Sequence, residues 1–400
     1  MRKHLRLTAL LFAASFGLLA CSGEGTESGS YVKIEEESLV CSYAGGNVAV
    51  SVSSNTDWAV SLSDESGAKI LWASASKILG HGDDLLQIKV QPNPMRSDRK
   101  AVVKISTTDG SVASVGLTQT GDPNSEVSAE EVKLRIGSYN LRITTGDKSD
   151  PDNNWTKRRP RLMQSIKDNA FDIFGVQECD TQLQKDLVSD LSAIYTFWFF
   201  SPYSQDGVGN KAQGIGFRTN DFIISDKHFF WNCDTPDVMT TNDICTDASY
   251  KRGGCCAVLT HKTTGVKLFF MVTHAALNDD AVVKYAHVFK DMERRWNPND
   301  YPCVFVGDMN AQPENASSAI YREHWKDVYM NLTSDKITGP YGTFNGFDLS
   351  KDMTKGKRID FIYYRGGATP LNYTCNTKKY EGFYASDHLP IYSDMIITAK

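Results

Sequence analysis

Six times between residues 134 and 397 a short apolar run meets an amide, a carboxylate or an imidazole at one end: Asn140, Glu178, His274, Asp308 with Asn310, Asp360, and Asp387-His388. Runs of this length bounded by turn residues read as buried strands, so the chain is constrained to a fold that gathers polar groups at strand ends. The stretch 302–310, Pro-Cys-Val-Phe-Val-Gly-Asp-Met-Asn, shows the arrangement most clearly. Val304 to Val306 form the strand, and Gly307 is expected to let the backbone turn tightly. Asp308 and Asn310 lie two residues apart, so an extended exit would point both side chains the same way. A carboxylate and an amide delivered together can hold a phosphate and its attacking water. Taken alone, the same residues read more readily as an ordinary Asp/Asn turn after a strand, and it is the other polar strand ends that change the reading.

The chain has 400 residues, 41% of them hydrophobic, which suits two or three domains. A net charge of −5 gives no basic field for tight, sequence-blind binding to nucleic acid. The first six residues, Met-Arg-Lys-His-Leu-Arg, are basic, and residues 7–20 form an apolar stretch too short to span a membrane comfortably. This start ends Leu18-Leu19-Ala20-Cys21 and resembles a bacterial lipobox, which implies removal of residues 1–20 and lipid on the Cys21 thiol. Residues 21–30, rich in Gly, Ser, Glu and Thr, read as a tether. The chain is therefore expected to be exported and held on a membrane as a lipoprotein, on a periplasmic or cell-surface face. Cys233 and Cys245 are close enough to close a disulfide loop, whereas adjacent Cys255 and Cys256 would face opposite sides of a strand. No Cys or His set has zinc spacing.

Residues 31–121 look all-β, with alternation at 47–53, 86–90 and 101–106 and turn signals between them. A small immunoglobulin-like sandwich is expected. The landmarks Gly45-Gly46, Asn55, Trp58, Trp72, Asn93, Arg99, Gln119 and Gly121 resemble the BACON domain of Bacteroidetes surface proteins, which implies possible glycan contact. Trp58 and Trp72 themselves read as sandwich core. Residues 122–131, polar and Pro-containing, form the linker, and from 132 to 400 strands alternate with helices expected over 155–169, 181–194 and 281–296. So many strands with few helices argue for two packed sheets flanked by helices.

Taken in order, Ser138-Tyr-Asn140, Gly175-Val-Gln-Glu178, Val272-Thr-His274, Val306-Gly-Asp-Met-Asn310, Arg358-Ile-Asp-Phe361 and Ala385-Ser-Asp-His-Leu-Pro390 resemble the endonuclease/exonuclease/phosphatase superfamily. Trp155 with Arg158 and Arg159, and residues 230–237, match its intervening landmarks. The resemblance implies a four-layer α/β/β/α sandwich of the deoxyribonuclease-like type and hydrolysis of phosphate esters with Mg²⁺ or Mn²⁺. It implies metal ligation by Asn140, Glu178 and Asp387, whose hard oxygens suit those ions. Asp308 would orient or deprotonate water, Asn310 steady the phosphate, and His388 act as an acid–base or phosphate-contacting imidazole. His274 would donate to a phosphoryl oxygen, with Asp360 fixing its tautomer. Arg358 reads as a surface partner of a carboxylate. Arg252 reads either as a phosphate-facing residue or as a solvated strand-start cation. Ala275-Ala276-Leu277 offer no further ligand, and residues 142–154 and 201–211 are expected to rim the cleft.

The expected protein is thus a monomeric, lipid-anchored phosphodiesterase or phosphatase with an unassigned substrate. Phospholipid head groups, inositol phosphates, phosphoglycans and nucleic acid all fit that class. Two other functions compete with it: a nuclease acting on extracellular DNA or RNA, and a glycan-binding surface protein with a vestigial hydrolase fold.

Overall fold

The computed structural model describes residues 29–125 apart from 66, 68 and 71, then 131–239 and 251–399. The expected leader, Cys21, most of the tether, linker residues 126–130 and Cys245 lie outside the described residues. The first nine strands are β1 (Val32–Ile34), β2 (Leu39–Cys41), β3 (Gly46–Ser54), β4 (Asp57–Ser63), β5 (Ala73–Ala75), β6 (Leu79–His81), β7 (Asp84–Val90), β8 (Arg99–Thr107) and β9 (Val112–Gln119). They make one sheet in the order β1-β3-β7-β5 and another in the order β2-β9-β8-β4-β6. Alternate residues of β3, β7 and β8 turn inward to one core that includes Trp58, Trp72, Leu86, Ile88, Val103 and Ile105. Both indoles are buried there, so neither rises from the surface as a sugar platform. The polar landmarks tie strand ends together. Arg99 Nε donates to Gln119 Oε1 at 2.8 Å, and Gln119 Nε2 donates to the carbonyls of Ser42 and Gln91.

The second part runs β10 (Glu131–Asn140), α1 (Trp155–Asn169), β11 (Ile173–Cys179), α2 (Thr181–Leu191), β12 (Tyr195–Phe200), β13 (Ala212–Arg218), β14 (Phe222–Trp231), β15 (Gly253–His261), β16 (Lys267–His274) and α3 (Asp279–Trp296). It continues with β17 (Cys303–Asp308), α4 (Ala316–Arg322), β18 (Lys326–Asp327), β19 (Ile337–Thr338), β20 (Asp360–Arg365), β21 (Ala368–Pro370), β22 (Tyr373–Cys375) and β23 (Ile391–Thr398). One sheet has the order β12-β13-β11-β10-β23-β22-β19, with β21 also on β23; the other has the order β14-β15-β16-β17-β20-β18. Ile136, Ile173 and Ile215 of the first meet Ala257, Phe270, Val272 and Val306 of the second in one core between the sheets. Leu162 and Ile166 of α1 and Leu183 and Leu187 of α2 cover the outer face of the first sheet. Val282, Tyr285 and Phe289 of α3 and Tyr321 of α4 cover the other. The layers are therefore helix, sheet, sheet, helix.

Several local expectations need correction. The helix expected to reach residue 194 ends at Leu191, because the chain must turn into β12, an aromatic edge strand without polar alternation. Gly307 is not a turn. It lies inside β17, where an added Cβ would fall 2.2 Å from the Thr273 carbonyl, so it is glycine for want of space. The reversal comes later, at Asn310, whose φ is +48°. The seven described cysteines are all buried free thiols, and Cys255 and Cys256 do face opposite cores.

The sheets approach closely at Gly175, where an added Cβ would lie 2.5 Å from Val306 Cγ2 and 3.0 Å from Val272 Cγ1. Gly175→Ala should therefore destabilise the protein by about 1–3 kcal/mol in urea unfolding, since a close-packed interface must spread to admit the methyl. An unchanged midpoint would mean that the interface has slack.

Candidate active site

Strand register builds half of the site. β16 runs parallel to β17 with His274 opposite Asp308, and β20 runs antiparallel to β17 with Asp360 opposite Asp308. Three polar residues scattered over eighty-seven positions thus stand in one row across adjacent strands. The facing sheet contributes Asn140, the last residue of β10, and Glu178 near the end of β11. Glu178 sits at φ +60°, where the pairing of β11 with β13 slips between Val176 and Cys179. A bulge re-aims the side chain that regular pleating would have sent elsewhere. Asp180 holds this end in place: one carboxylate oxygen caps α2 by accepting from Leu183 N, and the other accepts from Thr144 N at 2.6 Å.

The site residues converge on one cleft of about 740 Å³, lined among others by Glu178, His274, Asp308, Asn310, Asp387 and His388. Asn140 Nδ2 donates to Asp308 Oδ2 at 3.0 Å and to Glu178 Oε1 at 3.2 Å, linking the two sheets. Asn310 N donates to Asp308 Oδ1 at 2.9 Å, and its side-chain amide donates to the Ala275 carbonyl. The left-handed backbone at Asn310, rather than an extended exit, therefore keeps both residues on the cleft. The Asp360 assignment changes. Its Oδ2 lies 2.9 Å from His388 Nδ1, so it orients His388 and not His274. His274 instead places Nε2 3.4 Å from Asp308 Oδ2, and its backbone N–H donates to Gln213 Oε1.

The two imidazoles are pushed in opposite directions. Burial alone would lower the pKa of His388, but the charges of Asp360 and Asp308 and the Asp360 hydrogen bond outweigh it and raise it. Burial lowers the pKa of His274, and the charges of Arg252, His388 and Lys211 lower it further. His388 is thus held as a cation and His274 as a neutral ring, a division that suits two different roles. Burial also raises the carboxyl of Asp308, opposed by His388. That brings the carboxyl closer to the neutral range where a general base works best.

Two acidic groups of the cleft form a second set. Asp387 is buried, and burial raises its pKa, as does the charge of Glu178. Its partners are Ser386 Oγ at 3.3 Å and Arg142 Nη1 at 3.5 Å. Two repelling carboxylates beside the Asn140 amide are the hard oxygen donors a small divalent cation takes. Asp308, Asp360 and His388 also cluster tightly enough to hold a metal. The set with Glu178 offers oxygen donors alone, which suit Mg²⁺ or Mn²⁺ better than a set that includes a ring nitrogen.

Sequence reading missed Phe344, Lys351, Lys355 and Lys357, which line the cleft from the segment between Thr343 and Lys357, whereas Arg142 and Lys211, also in the lining, belong to the two stretches expected to rim it. No spacing in the sequence ties that irregular segment to the strand ends. Arg252 is half-buried and belongs to the lining, a position that a phosphate-facing residue would take. Arg358 is not on the surface. It is fully buried and forked onto Asp327, with Nη2 2.6 Å from Oδ2. Thr343 Oγ1 donates to Asp360 Oδ2 at 2.6 Å, completing the support of His388. Arg158, fully buried, donates to five carbonyls: Asn153, Leu141, Ala385, Arg142 and Ile143. It joins the loop after Asn140 to the loop before Asp387.

This fold and this cleft, with hard oxygen donors on one side and an Asp/His pair on the other, offer the groups that hydrolysis of a phosphate ester uses. The profile of the Endonuclease/Exonuclease/phosphatase family matches residues 137–388, and the chain belongs to that family. Among solved structures, a family member from Bacteroides thetaiotaomicron is 27% identical, with a TM-score of 0.60 over 67% of this chain and 99% of its own. A mannosyl-6-phosphatase from the same organism is 28% identical, with a TM-score of 0.59 over 66% of this chain and 99% of its own. The human Nocturnin catalytic domain, 16% identical with a TM-score of 0.52 over 67% of this chain and 97% of its own, shares the fold. No curated protein matches the chain.

Replacing Arg158 by Met should strand several buried carbonyls, each worth about 1–3 kcal/mol when unsatisfied, and lower unfolding free energy by about 3 kcal/mol or more. A loss under about 1 kcal/mol in denaturant titration would show that water or neighbouring groups take over.

Proposed function

We propose that the protein is a Mg²⁺- or Mn²⁺-dependent phosphatase acting on a compact phosphate monoester, with a sugar phosphate as the first substrate class to try. The observation that carries this reading is the opposed pair of sets in one cleft: Asn140, Glu178 and Asp387 on one side, and Asp308 between the two imidazoles on the other. The named activity of the mannosyl-6-phosphatase relative supports the sugar phosphate. A cleft of about 740 Å³ fits a small ester better than a polymer.

Asn140, Glu178 and Asp387 would hold the ion, which when bound supplies Lewis-acid stabilisation of charge on the phosphoryl and leaving oxygens. Asp308 orients a water and takes its proton as the oxygen bonds to phosphorus. The P–O bond to the alcohol breaks in line, and the departing oxygen acquires a proton from solvent. The His388 cation, held by Asp360 and Thr343, and the neutral His274 N–H stabilise the phosphoryl oxygens where charge accumulates. Asn310, anchored on Ala275, steadies the phosphate.

The same reading places the enzyme outside the cytoplasm as a monomer, anchored through lipidated Cys21, with the BACON-like region 31–121 as a spacer. Among the described residues no helix is long and apolar enough to cross a membrane, so the anchor rests on the lipobox pattern.

Purified protein should hydrolyse p-nitrophenyl phosphate and mannose 6-phosphate with Mg²⁺ and lose that activity to chelator. Glu178→Ala, Asp308→Asn and His388→Ala should each cut kcat by about 10²–10⁴-fold while circular dichroism stays that of the wild type. Near-wild-type rates in all three would remove the mechanism. Preferential cleavage of DNA or RNA would favour the nuclease reading instead.

A further inference from the structure

The cleft carries more positive charge than one phosphate and its ion require. Arg142 is engaged by Asp147 and Asp387, while Lys211 and Arg252 act on His274, so these three belong to the reacting end. Lys351, Lys355 and Lys357 line the same cleft from the segment that follows Phe344. Their place relative to the chemistry is defined. Phe344 pairs with His388 as an isolated β-bridge, and its ring lies 5.0 Å from the imidazole. On the other side Phe344 N and Thr343 N donate to the Lys357 carbonyl, so Lys357 stands one strand spacing further out. Lys351 Nζ lies 4.8 Å from the Phe344 ring centroid and donates to the Phe344 carbonyl at 2.6 Å. One aromatic ring thus separates a cation from the catalytic imidazole, a gap that a six-membered ring can bridge.

Two carboxylates act on these lysines, Asp348 on Lys351 and Asp352 on Lys355 at 3.5 Å, and both are exposed, so water largely screens the pairings. A chain with a net charge of −5 has nevertheless placed three lysines within seven residues on one wall of its cleft. Such a concentration raises local anion concentration and binds a second negative group at little cost in geometry.

We infer that the preferred substrate, within the phosphatase reading above, is a six-membered-ring phosphate bearing a second anionic group, with the ring against Phe344 and that group on Lys351, Lys355 and Lys357. The shared chemistry is a cyclic polyol with two anions, whether a sugar bisphosphate or a cyclitol bisphosphate.

The test compares glucose 6-phosphate, glucose 1,6-bisphosphate and inositol 1,4-bisphosphate with the full chain and Mg²⁺. Wild-type kcat/KM should favour one of the bisphosphates by about tenfold or more, mainly through KM, and the favoured arm identifies the ring. In K351A/K355A/K357A that ratio should collapse toward one, and the preference should fade with added salt in the wild type. Equal kcat/KM for mono- and bisphosphate in the wild type, or a ratio unchanged by the triple substitution, would overturn the inference. Calorimetric binding of the same compounds to the wild type separates the two readings. If no ester is cleaved, the phosphatase reading fails, while tighter binding of a bisphosphate that depends on the lysines still upholds the subsite; equal binding of mono- and bisphosphate overturns it.

Discussion

The chain of contacts from Asp360 through His388 to Asp308 is the constraint around which the rest is arranged. Two carboxylates and an imidazole, all nearly inaccessible to solvent, lie within hydrogen-bond or ion-pair reach of one another. Burying such groups is expensive unless each has partners. The surrounding residues supply them: Thr343 Oγ1 for Asp360, and Asn140 Nδ2 and Asn310 N for Asp308. Because Asn140 comes from one sheet and Asp308 from the other, satisfying the buried charge also fixes how the sheets meet at this end.

Arg158 performs the corresponding task for the loops. A planar guanidinium offers five donors in a fixed geometry, and here all five directions are used on carbonyls of the segments flanking Asn140 and Asp387. Trp155, one turn earlier on α1, donates its indole N–H to Asp186 on α2 at 2.8 Å. The Trp155 and Arg158 landmarks are therefore supporting elements. They tie the outer helix layer to the ends of the strands that carry the chemistry.

The division of labour within the cleft follows from electrostatics rather than from residue type. Two histidines with the same intrinsic basicity are pushed in opposite directions: burial, and then the charges of Arg252, His388 and Lys211, lower His274, whereas the charges of Asp360 and Asp308 outweigh burial at His388. Two aspartates also differ in surroundings, Asp308 between the imidazoles and Asp387 beside Glu178 and Arg142. The proposed function, binding a cation and accepting a proton in one cleft, would need this separation, and the two sheets present different neighbours on each side.

Much of this was legible in the sequence. Apolar runs ending in Asn140, Glu178, His274 and Asp308, and the run that Asp360 begins, are local facts, because strand formation and side-chain alternation depend on neighbours a few residues away. The order of those motifs was enough to indicate the family, and the alternation in residues 31–121 was enough to indicate β-sheet. What the sequence could not show is which of these ends face each other. Asp360 serves His388 rather than His274 because β20 pairs antiparallel with β17, placing Asp360 beside a loop residue twenty-eight positions away. Glu178 points into the cleft because a bulge changes the phase of its strand, and Gly307 is small because Thr273 of a neighbouring strand presses on it. The lysines after Phe344 reach the cleft only because that irregular segment bridges to His388. Local periodicity determined the strands and their polar ends; register, bulges and sheet-to-sheet contact, which are set by non-local packing, decided the partners.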